Sequence, residues 1–434
     1  MVKSALLLLS GNAATSLMLL ARNLLVARLI PVADYGIAAT FAIAMAVVEM
    51  ASQLGLQQQI VQAKNGEDPR FQAALQGFQV LRGAIGASAL FLLAPMVAEF
   101  LRVPDVAWAY QVVALVPLLM AFTHFDIHRL NRAMRFWPTV LSAAVPALAA
   151  LLVVWPLSVV YGDWRVMLWS IVVRAALIAT VSHVVAERPY RLVLDRAVMG
   201  QALRFGWPLL VNGMLLFAVF QGDKLIVGRE LGMEPLALFA MGVTLTLTPT
   251  LVTAKSTQNF FLPQLSKVDR ETPEGRARFD HLAAVTLQIS LVSGLLLVAA
   301  LFVLGPPLVA ALLGDKYQAL VAFLVPLAVA QALRVAKAGA GVVAMAGGET
   351  RNAMQANLVR VAALPLAWWA VVQGADLRAV IVIGILGEML GYGLSLWLVR
   401  RRPGVSLPPL RGTVAVVGLF LAVGALSGPP LCPA

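Results

Sequence analysis

Charge is scarce in this chain of 434 residues: 12% of them are charged and 60% hydrophobic, whereas soluble domains carry about a quarter charged residues. That deficit excludes a water-soluble globular domain. Cysteine is nearly absent, Cys432 near the end being the only one, which excludes a disulfide framework and a cysteine-based metal site. Histidine numbers only four. His124 and His128 stand four apart with Asp126 between them, but no further carboxylate at suitable spacing completes a set, so no metal is expected. There is no Gly-x-x-x-x-Gly-Lys-Ser/Thr run and no polar stretch long enough to fold into a nucleotide-binding domain. An ATP-driven pump and a hydrolase are therefore disfavoured; no catalytic residue is assigned and no cofactor is expected. The alternating segments of about ten residues that mark a membrane β-barrel are also missing. The chain is expected to be all-α, because only helices and closed barrels satisfy their backbone polar groups inside lipid.

Apolar runs of bilayer length are what the sequence has instead, with a mean hydropathy of +0.86. At roughly 20 residues per crossing, they predict helices near 5–30, 36–56, 79–101, 106–127, 138–160 and 164–186, then near 205–228, 236–254, 281–304, 318–340, 353–373 and 377–399. The expectation is an all-α polytopic membrane protein of about twelve core spans in two pseudo-symmetric six-helix lobes. Residues 1–186 form the first lobe, 187–204 a cytoplasmic linker, 205–402 the second lobe, and 403–434 a tail. An uncharged stretch from Gly412 to Leu431, broken by Gly428-Pro429-Pro430, is a candidate thirteenth span or re-entrant piece. The apolar start, which runs past Asn12 to Ile30, reads as an uncleaved first span rather than a signal peptide.

The formal net charge of +12 would point to nucleic acid in a soluble protein. Here it follows the enrichment of Lys and Arg in cytoplasmic loops, and no nucleic-acid partner is expected. Arg129, Arg132 and Arg135, then Arg188, Arg191, Arg196 and Arg204, then Lys255, Lys267, Arg270, Arg276 and Arg278, and finally Arg400, Arg401, Arg402 and Arg411 fall in links on one side, with Lys64, Arg70 and Arg82. The opposite links offer little beyond Arg102, Arg165, Arg229, Lys316 and Arg378. The richer side and the N-terminus are thus expected in the cytoplasm.

Two internal matches support the lobes. Leu24-Leu25-Val26-Ala27-Arg28 recurs as Leu225-Ile226-Val227-Gly228-Arg229 about 200 residues later, and Ala114-Leu115-Val116-Pro117-Leu118 resembles Phe323-Leu324-Val325-Pro326-Leu327 at nearly the same offset.

Ionised groups near the centre of a span cost about 2.5–3.5 kcal/mol each on insertion scales and should face protein or water. Arg22, Arg174, Lys224, Arg334, Lys337 and Arg360 are the basic members of this set; Glu49, Asp223 and Glu388 are the acidic ones. Arg28 and Arg229 sit near helix ends, where long side chains can snorkel to the surface. Arg22 lies roughly 9 Å further in. Adjacent Asp223 and Lys224 point about 100° apart and are poor partners for each other. Arg334 and Lys337, three apart, share a face, and are cavity residues if their helix continues toward Met345. The basic groups are candidates for an anionic substrate; Asp223, Glu49 and Glu388 are candidates for coupling to a proton or sodium ion, or ion-pair partners of the arginines.

Leu24-Leu25-Val26-Ala27-Arg28-Leu29-Ile30-Pro31 followed by Asp34-Tyr35-Gly36 resembles the first-helix pattern of Wzx-type oligosaccharide flippases, which belong to the MATE-like (MOP) superfamily. The stretches Arg129 to Phe136, Asp223 to Gly228, Leu313 to Tyr317 and Ala346 to Arg351 fit the same family. The resemblance implies two lobes around a central cavity that opens alternately to either side. It implies an undecaprenyl-diphosphate-linked oligosaccharide as cargo, moved across a bacterial inner membrane for exopolysaccharide, capsule or O-antigen synthesis, with polysaccharide polymerase and chain-length proteins as partners. Arg and Lys suit a diphosphate, because its charge cannot cross hydrocarbon unaided. Arg22 and Lys224, supported by Arg28, are the expected contacts, with Arg174, Arg334, Lys337 and Arg360 as further candidates. One departure is that Glu230-Leu231-Gly232 follows Arg229 where the first lobe has Asp-Tyr-Gly. Three other readings stand beside this one: a cation-coupled small-molecule exporter of the same superfamily; a lipid II flippase, for whose usual number of spans 434 residues are few; and a non-transporting membrane subunit of a polysaccharide assembly complex.

Overall fold

The computed structural model describes residues 2–51 and 54–401, and among them every regular element is helical. The candidate span between Gly412 and Leu431 lies outside the described residues. The helices are α1 (Val2–Leu29), α2 (Val32–Ala51), α3 (Leu56–Gln62), α4 (Pro69–Phe100), α5 (Ala107–Val113), α6 (Leu115–Ala121), α7 (Asp126–Arg132), α8 (Trp137–Leu152), α9 (Val154–Val160) and α10 (Arg165–Val184). They continue as α11 (Arg196–Ile226), α12 (Met233–Ser266), α13 (Pro273–Leu313), α14 (Val321–Ala346), α15 (Asn352–Val372) and α16 (Leu377–Arg401). Eleven spans among the described residues are long and apolar enough to cross a membrane: this is a multi-pass membrane protein. The twelfth expected span corresponds to α1, whose 28 residues reach about 42 Å, long enough to cross a bilayer.

Local chemistry sets several boundaries. Asp68 caps α4 by accepting from the Arg70 amide at 2.9 Å, with Pro69 in the first helical position. Thr272 does the same for α13, accepting from the Gly275 amide at 3.1 Å ahead of Pro273. Gly314, at φ 80°, ends that helix in a conformation side chains resist. The fourth and fifth sequence spans are each divided, between α5 and α6 and between α8 and α9. Pro117 and Pro156 follow those breaks closely, and a proline removes one helical donor and crowds the preceding turn. The third span begins ten residues earlier than its hydropathy suggests, because α4 starts at Pro69 rather than 79.

Two compact units emerge. The first comprises the chain up to Phe217 with Gly232–Ala237; the second comprises Ala218–Leu231 with Leu238 onward. In the first, α8 packs on α1 and α10, while α4 packs on α5 and α6. Small residues allow the closest approaches: Gly83 abuts Ala121 and the Pro117 carbonyl, and Gly36 abuts the Met233 carbonyl. The first part of the 187–204 linker is fastened to this unit, with the Val193 amide donating to the Ala73 carbonyl at 3.1 Å; its second part is already the start of α11. In the second unit, α14 packs on α13 and α16, and α16 on α15. α11 ends in a π-helical turn, Val227–Leu231, so the second copy of the repeated run is wound differently from its counterpart in α1. Wider turns of this kind gather at functional positions.

Candidate functional site

Buried charge in the second unit converges on one carboxylate. Glu388, on α16, has a side chain only 1% exposed. It accepts from Arg334 Nε at 2.6 Å and from Lys337 Nζ at 2.7 Å, both on α14, and Arg360 Nε of α15 lies 3.4 Å away. Arg360, 2% exposed, turns its other end to Asp223 of α11, pairing through Nη2 and Oδ2. Four helices are thus joined through two carboxylates. The arrangement follows from helix geometry: Arg334 and Lys337 are one turn apart, so both heads reach the same side of α14. α14 runs on to Ala346, which settles their position as helix residues rather than loop residues.

Neutral partners complete the cluster. Lys337 Nζ also donates to Asn357 Oδ1 at 3.0 Å, Arg334 Nη1 lies 3.5 Å from Gln331 Oε1, and the Arg334 guanidinium stacks 5.4 Å from the Phe220 ring centre. Lys224 Nζ donates to Gln221 Oε1 at 3.2 Å and lies within electrostatic reach of Arg334. A cavity of about 30 Å³ opens against Asp223, Gln331, Arg334, Arg360 and Glu388. It has room for about two waters, and Asp223 Oδ1 is buried without a hydrogen-bond partner among the described residues.

The first unit holds a second basic group. Arg22 of α1 is 9% exposed and donates to Asn23 Oδ1 at 2.9 Å through Nη2. It lies within electrostatic reach of Arg174 on α10, and Glu49 on α2 is within reach of both Arg174 and Arg82. Arg174 Nε is buried without a hydrogen-bond partner among the described residues. Arg28 and Glu49 are exposed. Arg82, Arg204 and Lys255 are corrections to the sequence reading: they are not loop residues but lie inside α4, α11 and α12, Arg82 more than three turns from the start of α4. Gln72, Gln76 and Gln79, neighbours of Arg82 and all buried on that helix, form a polar stripe at 3–4-residue spacing that signals the extended helix.

Outside the membrane spans, a further polar centre fixes the linker. Asp126, fully buried, accepts from Arg129 Nε at 2.5 Å, from the Glu187 and Arg188 amides at 2.8 and 3.2 Å, and from Gln72 Nε2 at 3.4 Å. Burial alone would raise its pKa, but the Arg129 hydrogen bond and the two amides outweigh it and hold the carboxyl below the usual range. His124 accepts the Asp126 amide at Nδ1 and meets His183 and Tyr190 edge-on. Burial and then the His183 charge lower its pKa. His128 is lowered to about 4 by burial and packs edge-on against Phe125. No group of three or more His, Cys, Asp or Glu able to hold a metal occurs among the described residues.

The comparisons bear on what these clusters serve. Residues 25–322 match the family described as polysaccharide biosynthesis protein, which covers more than half the chain. The chain belongs to the polysaccharide biosynthesis protein family. It is a Wzx-type member with the fold of the MOP superfamily. The lipid II flippase MurJ in an inward-closed conformation is similar at a TM-score of 0.76 and 12% identity, covering 97% of this chain and 92% of that one. An inward-facing MATE-family multidrug resistance transporter is similar at 0.70 and 16%, covering 90% and 94%. A MOP superfamily transporter from Pyrococcus furiosus Vc1 (DSM3638), described by the reverse polarity of its binding pocket, is similar at 0.57 and 15%, covering 93% and 95%. No curated protein matches. At these identities the structures speak to fold alone.

Proposed function

We propose that this polysaccharide biosynthesis protein is a flippase. It carries an undecaprenyl-diphosphate-linked oligosaccharide across the bacterial inner membrane by alternating access, with its N-terminus in the cytoplasm, and supplies exopolysaccharide, capsule or O-antigen synthesis. Polymerase and chain-length proteins receive its product.

The observation that carries this reading is the surplus of cations inside the spans. In the second unit, among the described residues, the carboxylates that Lys224, Arg334, Lys337 and Arg360 face are Asp223 and Glu388. In the first, Arg22 lies within reach of Arg174, and Glu49 within reach of Arg82 and Arg174. Each such charge is expensive in lipid, and a set in which cations outnumber carboxylates suits an anion. A diphosphate linking lipid to sugar supplies about two negative charges near neutral pH, and guanidinium groups hold phosphate oxygens through paired donors. A cationic drug would require the opposite sign. Arg22 and Lys224, supported by Arg28, remain the first-choice contacts, with Arg174, Arg334, Lys337 and Arg360 as further candidates. For energy coupling, a proton or sodium ion at Glu388 has to displace a guanidinium or ammonium group from an oxygen already in contact, whereas Oδ1 of Asp223 is open to one.

The test is lipid analysis of a strain lacking the gene. An undecaprenyl-diphosphate-linked glycan should accumulate on the cytoplasmic side and disappear on complementation. Unchanged lipid-linked glycans, with drug sensitivity altered instead, would overturn the reading in favour of the exporter.

A further inference from the structure

Glu388 presents a puzzle for an anion transporter. It is the most buried carboxylate of the second unit's cluster, yet it faces two of the cations a diphosphate would use, at 2.6 and 2.7 Å. A carboxylate there repels phosphate. It also neutralises part of the charge that makes the site attractive. The geometry suggests what it contributes in return.

Arg334 and Lys337 are not wholly enclosed: their side chains are 14% and 11% exposed, against 1% for Glu388. The carboxylate therefore approaches both cations from the protein side, and their accessible edge is left for another partner. Both have donors in reserve. Arg334 commits Nε to Glu388 and has only a long 3.5 Å approach from Nη1 to Gln331; a guanidinium carries five N–H groups. Lys337 uses two donors, to Glu388 and Asn357, of three. Phe220 lies against the Arg334 guanidinium, its ring centre 5.4 Å from Cζ, and a guanidinium, planar by its own delocalisation, can offer two parallel donors to one phosphate.

We propose that Glu388 is an internal competitor for the substrate's phosphates. When the site is empty it holds Arg334 and Lys337 in place, so these buried cations keep a counter-charge. When a diphosphate binds to their accessible edge, Glu388 shares the same two cations and weakens their grip. The consequence concerns turnover: a transporter must release what it binds, and affinity spent on the resting complex slows the cycle. Glu388 is a positioning residue that sets affinity rather than a contact to the cargo. The inference rests on the flippase reading, because it takes a diphosphate as the ligand.

The experiment measures binding of inorganic pyrophosphate to the purified full chain in lipid nanodiscs, alongside glycan flipping in cells. Arg334→Gln should lose most of the binding. Glu388→Gln should bind pyrophosphate about tenfold tighter than wild type, since a full charge close to two cations is removed in a medium of intermediate dielectric, while flipping in cells slows. Glu388→Asp, which keeps the charge but draws it back by one methylene, should fall between the two and serves if the glutamine variant does not fold. A structural role alone would weaken binding in both Glu388 variants. Equal or weaker binding in a folded Glu388 variant, with wild type binding and Arg334→Gln not, overturns the competitor role and leaves the anion site standing. Binding that is absent in wild type, or indifferent to Arg334→Gln, overturns both.

Discussion

Removing Arg360 tests how the second unit holds its charges together. Arg360→Met keeps much of the side-chain volume but deletes the one cation that contacts Asp223 and also approaches Glu388 at 3.4 Å. A contact pair about 4 Å between charge centres is worth roughly 4 kcal/mol gross at an effective dielectric of 20. Breaking a buried pair costs about 3–5 kcal/mol, because the stranded partner stays desolvated. Asp223→Asn should cost less, about 1–3 kcal/mol, since Arg360 keeps Glu388 nearby. If the pair is the main interaction of each residue, the double variant Arg360→Met/Asp223→Asn should recover part of the loss, with a coupling of about 2–3 kcal/mol. The assay is thermal stability of the four proteins in one detergent, read beside complementation of a flippase-deficient strain. Strict additivity would refute the pairing. A double variant that is stable and flips normally would also remove Asp223 from any coupling role.

Other positions extend the account. Gly36→Ala should destabilise the first unit by about 1–3 kcal/mol, because its new Cβ meets the Met233 carbonyl oxygen on the backbone; normal stability and expression would contradict that approach. Asp126→Asn should cost about 1–3 kcal/mol at pH 7 by weakening the hold on Arg129, which keeps Glu187 at 3.2 Å and Glu67 at 3.6 Å, and by loosening the Glu187–Arg188 amides. Because the folded pKa is lowered, this stabilisation is fully present above about pH 4, the ordinary carboxylate value, and is lost as pH falls through the folded value. The gap in melting temperature between wild type and variant should close there, and a constant gap would refute the charge argument. His128, with a pKa lowered to about 4, is neutral when folded, so unfolding takes up a proton between about pH 6.5 and 4. Its contribution is lost as pH falls through that window, and His128→Phe should flatten the acid limb of stability across it.

Much of the architecture is legible from hydropathy because length and apolarity are the requirements lipid imposes. The charged candidates were legible for the same reason: Arg334, Lys337, Arg360 and Glu388 stand out as ions in runs that otherwise exclude them. Their pairing was not legible. Glu388 lies 54 positions from Arg334 and Asp223 lies 137 from Arg360, and periodicity along one helix says nothing about which neighbour it meets. Arg82 was missed because hydropathy starts the third span at 79, whereas glutamines bonded to buried carbonyls carry the helix back to Pro69. Asp126 escaped notice as a hub because its partners include backbone amides, which no sequence displays.

The central claim is that the cation surplus inside the spans moves a diphosphate. The most direct measurement is translocation of a fluorescently tagged undecaprenyl-diphosphate-linked glycan in proteoliposomes containing wild type, Arg22→Ala or Lys224→Ala. Wild type should move the lipid, and each variant should move it at least about tenfold more slowly, one lost charged contact being worth about 1.5–3 kcal/mol, at equal insertion. Equal rates in all three proteins, or no transfer by wild type, would contradict it.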